Sequence, residues 1–318
     1  MSAHGCMTER VKEYLAMRRA FGYRLTIAGE SLRDFARFTD RLAPGEPLTV
    51  DLALRWARAA CPAKHSSAAR RLLILRPFAR FLRTIEPLTE IPPKGILGPS
   101  QHRRAPHIYT HQQLHDLLEA ARGLRPCGGF RSRSVRAYLS LLACTGMRPP
   151  EPLRLTRDDV DFHTHTITVR ETKFSKSRIV VLHPTVTTAL RTYARLRDQY
   201  VRRPQSPAFF LLDDGSPLTH KKALWAFRYL RRQLNWESNR GRRPPRLYDL
   251  RHTFVCGRLL AWYKEGVDID VAMPSLSTYL GHVKVTDTYW YVTGIPELME
   301  VVSSRFERFV CRDNGGQR

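Results

Sequence analysis

Long apolar runs are missing from this chain. No stretch approaches the roughly 18 consecutive apolar residues that a membrane-spanning helix needs, so no membrane segment is expected. The opening MSAHGCMTER has no apolar core of the signal-peptide kind, so no secretory leader is expected either. Cysteine is scarce, confined to Cys6, Cys61, Cys127, Cys144, Cys256 and Cys311. None forms a Cys-x-x-Cys pair, and no His/Cys group has zinc-ligand spacing. That argues against a disulfide framework and a zinc module, and a reduced cytoplasmic setting fits. His163, His165 and His183 lack carboxylate or thiol partners at ligand spacing, so no metal site is expected there. Cys144 and Cys256 lie in apolar helical runs and read as buried thiols. Internal repeats and low-complexity tracts are absent too, which leaves ordinary globular domains.

Acidic residues are the other shortage. Only 29 Asp and Glu face 53 Lys and Arg, for a formal net charge of +24. Arg dominates the basic set, and its clusters (Arg103-Arg104, Arg202-Arg203, Arg231-Arg232, the run from Arg240 to Arg243) are spread along the chain. Such a field attracts a polyanion, a phosphate backbone above all, over a wide surface. Hydrophobic content of 42% and charged content of 26% are those of a water-soluble globular protein. At 318 residues the chain has room for two cores.

Periodicity places the elements. Residues 1–90 read as a small helical domain. Thr8 is the expected cap of its first helix. Leu32, Phe35, Phe38 and Leu42 form an apolar stripe on its second. Thr49 opens a third helix, and Ser66 or Ser67 a fourth that reaches about Ile85. Residues 91–109 are proline-containing and aperiodic, which reads as a linker. Thr110, with Gln113 three residues on, is a capping box that opens the second domain, 110–318. Its long apolar helix breaks at Gly146. Alternation from Val160 to Leu182 predicts a small antiparallel sheet, and Phe209 to Leu212 a further short strand. Helices are expected over about 184–202 and 219–234. The tail 296–310 carries Leu298, Val302, Phe306 and Phe309 on one helical face.

Chemistry concentrates near the C-terminus. Tyr248-Asp249-Leu250-Arg251-His252-Thr253-Phe254 opens a helix, Leu280-Gly281-His282 ends the next, and Tyr291 lies nine positions after His282 (291 − 282). Arginine offers a fixed fork of donors to phosphate oxygens. Histidine exchanges a proton near neutrality, and tyrosine can act as a covalent nucleophile. Upstream stand Thr145-Gly146-Met147-Arg148-Pro149-Pro150-Glu151 and the turn Thr172-Lys173-Phe174-Ser175-Lys176-Ser177. Lys173 follows Arg148 by 25 positions (173 − 148).

These four boxes, in this order over most of residues 105–295, resemble the tyrosine recombinases of the phage-integrase family. The wording around Leu276 to His282 and Asp287 to Tyr291 resembles the transposon-associated branch. The resemblance implies a mainly α fold with a small antiparallel β-sheet. A helical core-binding domain would precede an α+β catalytic domain with a C-terminal tail helix. It implies a site-specific recombinase or integrase that cleaves and rejoins DNA through a 3′-phosphotyrosyl link, with no metal, ATP or other cofactor. In that scheme Tyr291 attacks, Arg148 and Arg251 clamp the non-bridging oxygens, Lys173 protonates the leaving oxygen and His282 donates to the phosphate. Glu151 orients Arg148 or caps a helix, and His252 packs behind Arg251. Lys176 and Tyr289 are the alternatives to Lys173 and Tyr291. A homo-oligomer, a tetramer on two DNA sites, or an assembly with sister recombinases is implied.

One catalytic position departs from the pattern. The family's first His is Tyr248 here, and a phenol with a pKa of about 10 is a poor base, although it can still hydrogen-bond a phosphate. Two other readings stay open: a type IB topoisomerase-like enzyme, which shares the Arg, Lys, Arg, His and Tyr set, and a degenerate DNA-binding accessory protein, to which Tyr248 points.

Overall fold

A computed structural model of the chain describes residues 6–59, 65–98, 106–125, 129–170, 177–237 and 243–293. Two compact units emerge, 1–104 and 105–318. Among the described residues no helix is long and apolar enough to cross a membrane.

The first unit holds α1 (Met7–Ala20), α2 (Thr26–Leu42), α3 (Val50–Ala59) and α4 (His65–Ile85). Their apolar stripes meet in a core built on Val11, Leu15, Leu32, Phe35, Trp56, Leu75 and Phe78. Burying each such large side chain contributes about 1.5–3 kcal/mol. Phe35 meets Trp56 edge-on at 5.1 Å, and the Arg71 guanidinium covers the same indole at 4.0 Å.

Two capping expectations change. The free amides of α1 go to a carboxylate on α2: Asp40 accepts from the Met7 and Thr8 amides (2.8 and 3.2 Å) and from the Thr8 hydroxyl (2.6 Å). A neighbouring helix thus supplies the acceptor that a local Thr was expected to supply. Helix α4 begins at His65, which puts Ser66 and Ser67 inside it. Part of the stretch read as linker folds back, since Ile91 and Leu97 pack on the first core; just before it, Glu90 accepts from the Val50 amide at 2.6 Å.

The second unit is arranged around α6 (Phe130–Thr145), which packs on α5 (His111–Arg122), α7 (Pro184–Tyr200) and α9 (Asp249–Glu265). The Thr110/Gln113 capping box on α5 forms in full. The start of α6 is capped from afar, where Asp213 accepts from the amides of Phe130 and Arg131 (2.5 and 3.2 Å). Strands β1 (Val160–Asp161), β2 (Thr166–Val169) and β3 (Arg178–Val181) form an antiparallel sheet in sequence order, with Ile167 opposite Val180. The expected strand at Phe209 to Leu212 is reduced to isolated bridges at Ala208 and Leu211, because these residues run as a buried connection into α8 (His220–Gln233). Cys144 is exposed on α6, whereas Cys256 is buried as expected. Helices α10 (Ile269–Leu280) and α11 (Thr286–Thr293) close on α9 around Val255, Leu259, Met273, Leu276, Leu280 and Tyr291. The tail 296–310 lies outside the described residues.

Helix α6 ends at Gly146, whose φ of +61° is left-handed. A Cβ there would stand 2.5 Å from Phe254 Cδ1 and 3.0 Å from its Cγ. The ring stacks on Tyr279 at 5.9 Å, so moving it away would disturb that pair. Gly146→Ala therefore combines a left-handed alanine (about 1–2 kcal/mol) with overpacking (about 1–3 kcal/mol). We expect a stability loss of about 2–4 kcal/mol by chemical denaturation. A loss below about 0.5 kcal/mol, the range of unremarkable surface changes, would contradict the tight approach.

Candidate active site

Three helix ends meet at one place. The C-terminus of α6 carries Gly146, the C-terminus of α10 carries Leu280 and Gly281, and the first turn of α9 carries Arg251. The final carbonyls of α6 and α10 lack partners within their own helices and bear their negative dipole ends. Arginines answer both. Arg251 donates from Nη1 to Gly146 O and from Nη2 to Leu280 O, each at 2.8 Å. Arg148 donates from Nη2 to Gly281 O at 2.8 Å. The two guanidiniums are thus held on backbone before any ligand arrives.

Glu151 is the shared counter-ion. It is buried, and it accepts from the Arg148 amide (2.8 Å) and from Arg148 Nη1 (3.0 Å). Arg178 on β3 grips it with both Nη atoms (3.0 and 2.7 Å) and donates from Nε to Tyr279 O (2.9 Å). Burial alone would raise the Glu151 pKa. The arginine hydrogen bonds and charges outweigh it and hold the carboxyl below its ordinary range. Arg148 and Arg178 on Glu151, with Arg251 close by, set three guanidiniums against one carboxylate and leave an excess of positive charge, which suits an anion. Arg178 was missed in the sequence. It sits in a strand-edge segment with no motif to mark it, and its partners are distant in the chain.

Arg251 is 1% exposed, and its Nε–H has no acceptor among the described residues. Burial, with Arg148 as a nearby like charge, pulls its pKa below the usual value. His282 stands beside it, with Nε2 2.9 Å from Arg251 Nη2 and Nδ1 2.7 Å from the Thr288 hydroxyl. A guanidinium only donates, so Nε2 is the acceptor and Nδ1 carries the proton. Burial, then the charges of Arg251 and Arg148, push the His282 pKa down to about 4.

Tyr291 on α11 is 3% exposed, and its Oη lies 3.0 Å from Nδ1 of His252. Burial raises its pKa, and the Arg251 charge opposes that rise. Tyr289 faces elsewhere: it is 37% exposed and donates to Asp270 at 2.8 Å. Tyr248 is 40% exposed at the start of α9, with its ring edge-on to His252 at 5.3 Å. The fold gathers Arg148, Arg251 and His282, and Tyr291 and the partly exposed Tyr248 both lie close enough to Arg251 for charge to couple them to it. Lys173 and Lys176 lie outside the described residues. His252, expected to pack behind Arg251, also contacts the Tyr291 hydroxyl.

The small sheet, the helix set and this cluster together have the fold of tyrosine-recombinase catalytic domains. A family profile for the phage integrases matches residues 108–295. The candidate integrase/recombinase y4rB of Sinorhizobium fredii is 38% identical over 306 residues, 94% of this chain and 96% of its own length. The tyrosine recombinase XerD of Mycobacterium tuberculosis is 32% identical over 228 residues, 71% of this chain and 68% of its own. Among solved structures, the Tn1549 transposon integrase in complex with a circular intermediate DNA superposes with a TM-score of 0.67 at 17% identity, covering 95% of this chain and 99% of that one. The lambda integrase bound to DNA gives 0.59 at 15% identity, covering 82% and 88%. This chain belongs to the phage integrase family. It is a tyrosine recombinase, an enzyme that breaks and rejoins DNA strands.

Proposed function

We propose that the chain is a site-specific recombinase of a mobile element that cleaves DNA through a 3′-phosphotyrosyl intermediate. The convergence of Arg148, Arg251 and His282 on three helix ends, with the buried Tyr291 near enough to Arg251 to feel its charge, carries this reading. Tyr291 Oη attacks the scissile phosphorus and a 5′-hydroxyl departs. The covalent link conserves the phosphodiester, so rejoining needs no ATP. Arg148 and Arg251 bind the non-bridging oxygens, whose charge grows in the transition state. Lys173 protonates the leaving oxygen. Once a phosphate takes Arg251's donors, His282 Nε2 is released to take a proton and donate to the same phosphate. The guanidiniums and lysine supply the positive charge, so we propose that no metal is required. The arginines exposed on the first unit, among them Arg33, Arg37, Arg80 and Arg83, contribute phosphate contacts. Assembly is a tetramer on two DNA sites, working in the cytoplasm.

Incubation with a nicked suicide substrate carrying the element's own end tests this. A DNA–protein band that survives a denaturing gel and forms in the presence of EDTA is expected. Site binding without any such band would favour the accessory-protein reading. Supercoil relaxation by a protein that never pairs two sites would favour the topoisomerase.

A further inference from the structure

The tyrosine's proton needs a destination, and the side chain in the familiar position is the wrong kind. Tyr248 is a phenol, largely on the surface, with no lone pair basic enough to take a proton from another phenol near neutrality. One imidazole does reach the hydroxyl. His252 Nδ1 is 3.0 Å from Tyr291 Oη, with the two ring centroids 5.4 Å apart. Its ring is held on two further sides by the edges of Tyr248 (5.3 Å) and Trp290 (5.9 Å). His252 also follows Arg251 directly in the first turn of α9. One rigid turn therefore presents both a phosphate donor and a proton acceptor.

From this geometry we propose that His252 is the general base for Tyr291, a catalytic role that replaces the one Tyr248 cannot fill. This rests on the reading of Tyr291 as nucleophile. In cleavage the Tyr291 Oη–H proton passes to His252 Nδ1. The freed electron pair forms the Oη–P bond, the P–O5′ bond breaks, and the leaving oxygen takes a proton from the general acid. In rejoining, the 5′-hydroxyl returns its proton to the conjugate base of the general acid and attacks phosphorus, the Oη–P bond breaks, and the imidazolium returns its proton to Oη. No proton is consumed over the cycle.

The surroundings suit the task. Burial is the largest influence on His252 and pushes its pKa down to about 4, with Asp249 opposing and Arg246 and Arg251 reinforcing. From α11 it faces Tyr291 and Trp290, and from the start of its own helix Tyr248. The ring is therefore neutral at ordinary pH, with a lone pair available. A phosphodiester bound at Arg251 would cancel part of the positive charge that keeps the imidazole weakly basic. Basicity would then rise when the nucleophile is placed against phosphorus.

Single-turnover cleavage of the nicked suicide substrate tests the proposal. His252→Gln keeps an acceptor for the tyrosine hydroxyl but cannot take its proton. We expect it to bind DNA normally and to cleave about 10²- to 10⁴-fold more slowly, the usual contribution of a general base. The wild-type rate should level off once the imidazole is neutral, while the variant should keep rising with hydroxide. In His252→Ala, added imidazole should restore part of the rate, following the concentration of its neutral form. The proposal is overturned by a His252→Gln rate within threefold of wild type. It is equally overturned by a loss that leaves the pH profile unchanged and that imidazole does not relieve in His252→Ala, because that is the mark of a structural role. A changed pH profile in Tyr248→Phe but not in His252→Gln would move the base to Tyr248. If wild type forms no adduct at all, the nucleophile assignment itself falls. If wild type forms it and only the His252 results disagree, the base assignment alone falls.

Discussion

Tyr291→Phe is expected to abolish the covalent DNA adduct while leaving site binding intact. The substitution removes one oxygen from a side chain that is 3% exposed and packed among Val255, Leu259, Met273 and Leu276. The ring keeps its packing, so the fold should survive. The cost to stability is one hydrogen bond and a His252 nitrogen left without its partner, about 1–2 kcal/mol. The cost to chemistry is far larger. Deleting the nucleophile of a covalent catalyst typically removes roughly 10⁶ in rate, so no band should be seen on a denaturing gel. Tyr289→Phe is the matched control. Its hydroxyl is tied to Asp270 at 2.8 Å, away from Arg251 and His282, and its adduct should form at the wild-type level. A band that persists in Tyr291→Phe and vanishes in Tyr289→Phe would transfer the role to Tyr289.

Arg251→Lys should slow cleavage by on the order of 10²–10³, the usual cost of removing one transition-state donor. It should also destabilise the catalytic unit, which distinguishes it from an ordinary surface arginine. The guanidinium simultaneously reaches Gly146 O, Leu280 O and His282 Nε2. An ammonium is a point charge on a flexible stem and cannot span that fork. At least one buried helix-end carbonyl is left unpaired, at about 1–3 kcal/mol. Arg148→Lys should show a similar rate loss with a smaller stability loss. Its side chain is 22% exposed, and Arg178 still holds Glu151 when Arg148 is gone. Single-turnover rates and melting temperatures measured on both variants separate the two effects. Cleavage near the wild-type rate in either one would remove that arginine from the phosphate site.

The contrast between Arg178 and Arg148 shows where sequence reading stops. Arg148 is legible because Thr145 to Glu151 resembles a family box that lies within one short segment. Arg178 makes an equally tight pair with Glu151, but 27 positions away in the chain and across a strand. Asp40 and Asp213 cap helices to which they are not adjacent in sequence, and no local pattern announces that.

By itself, the sequence determined the helix-dominated composition of the fold, the α5 capping box and a small antiparallel sheet, and its resemblance to a known family marked the arginine, histidine and tyrosine set. Each depends on residues close together in the chain, where periodicity and capping act through neighbours. Only the tertiary structure decided which groups face one another. Arg251 could be read as a phosphate ligand from its motif, but not as the bolt joining the ends of α6 and α10. His252 could be read as buried, but not as standing 3.0 Å from Tyr291 Oη, 39 positions on. The reason is physical. That contact exists because α9, α10 and α11 bury one shared apolar cluster, and the burial of distant side chains, not any local preference, brings the imidazole to the phenol.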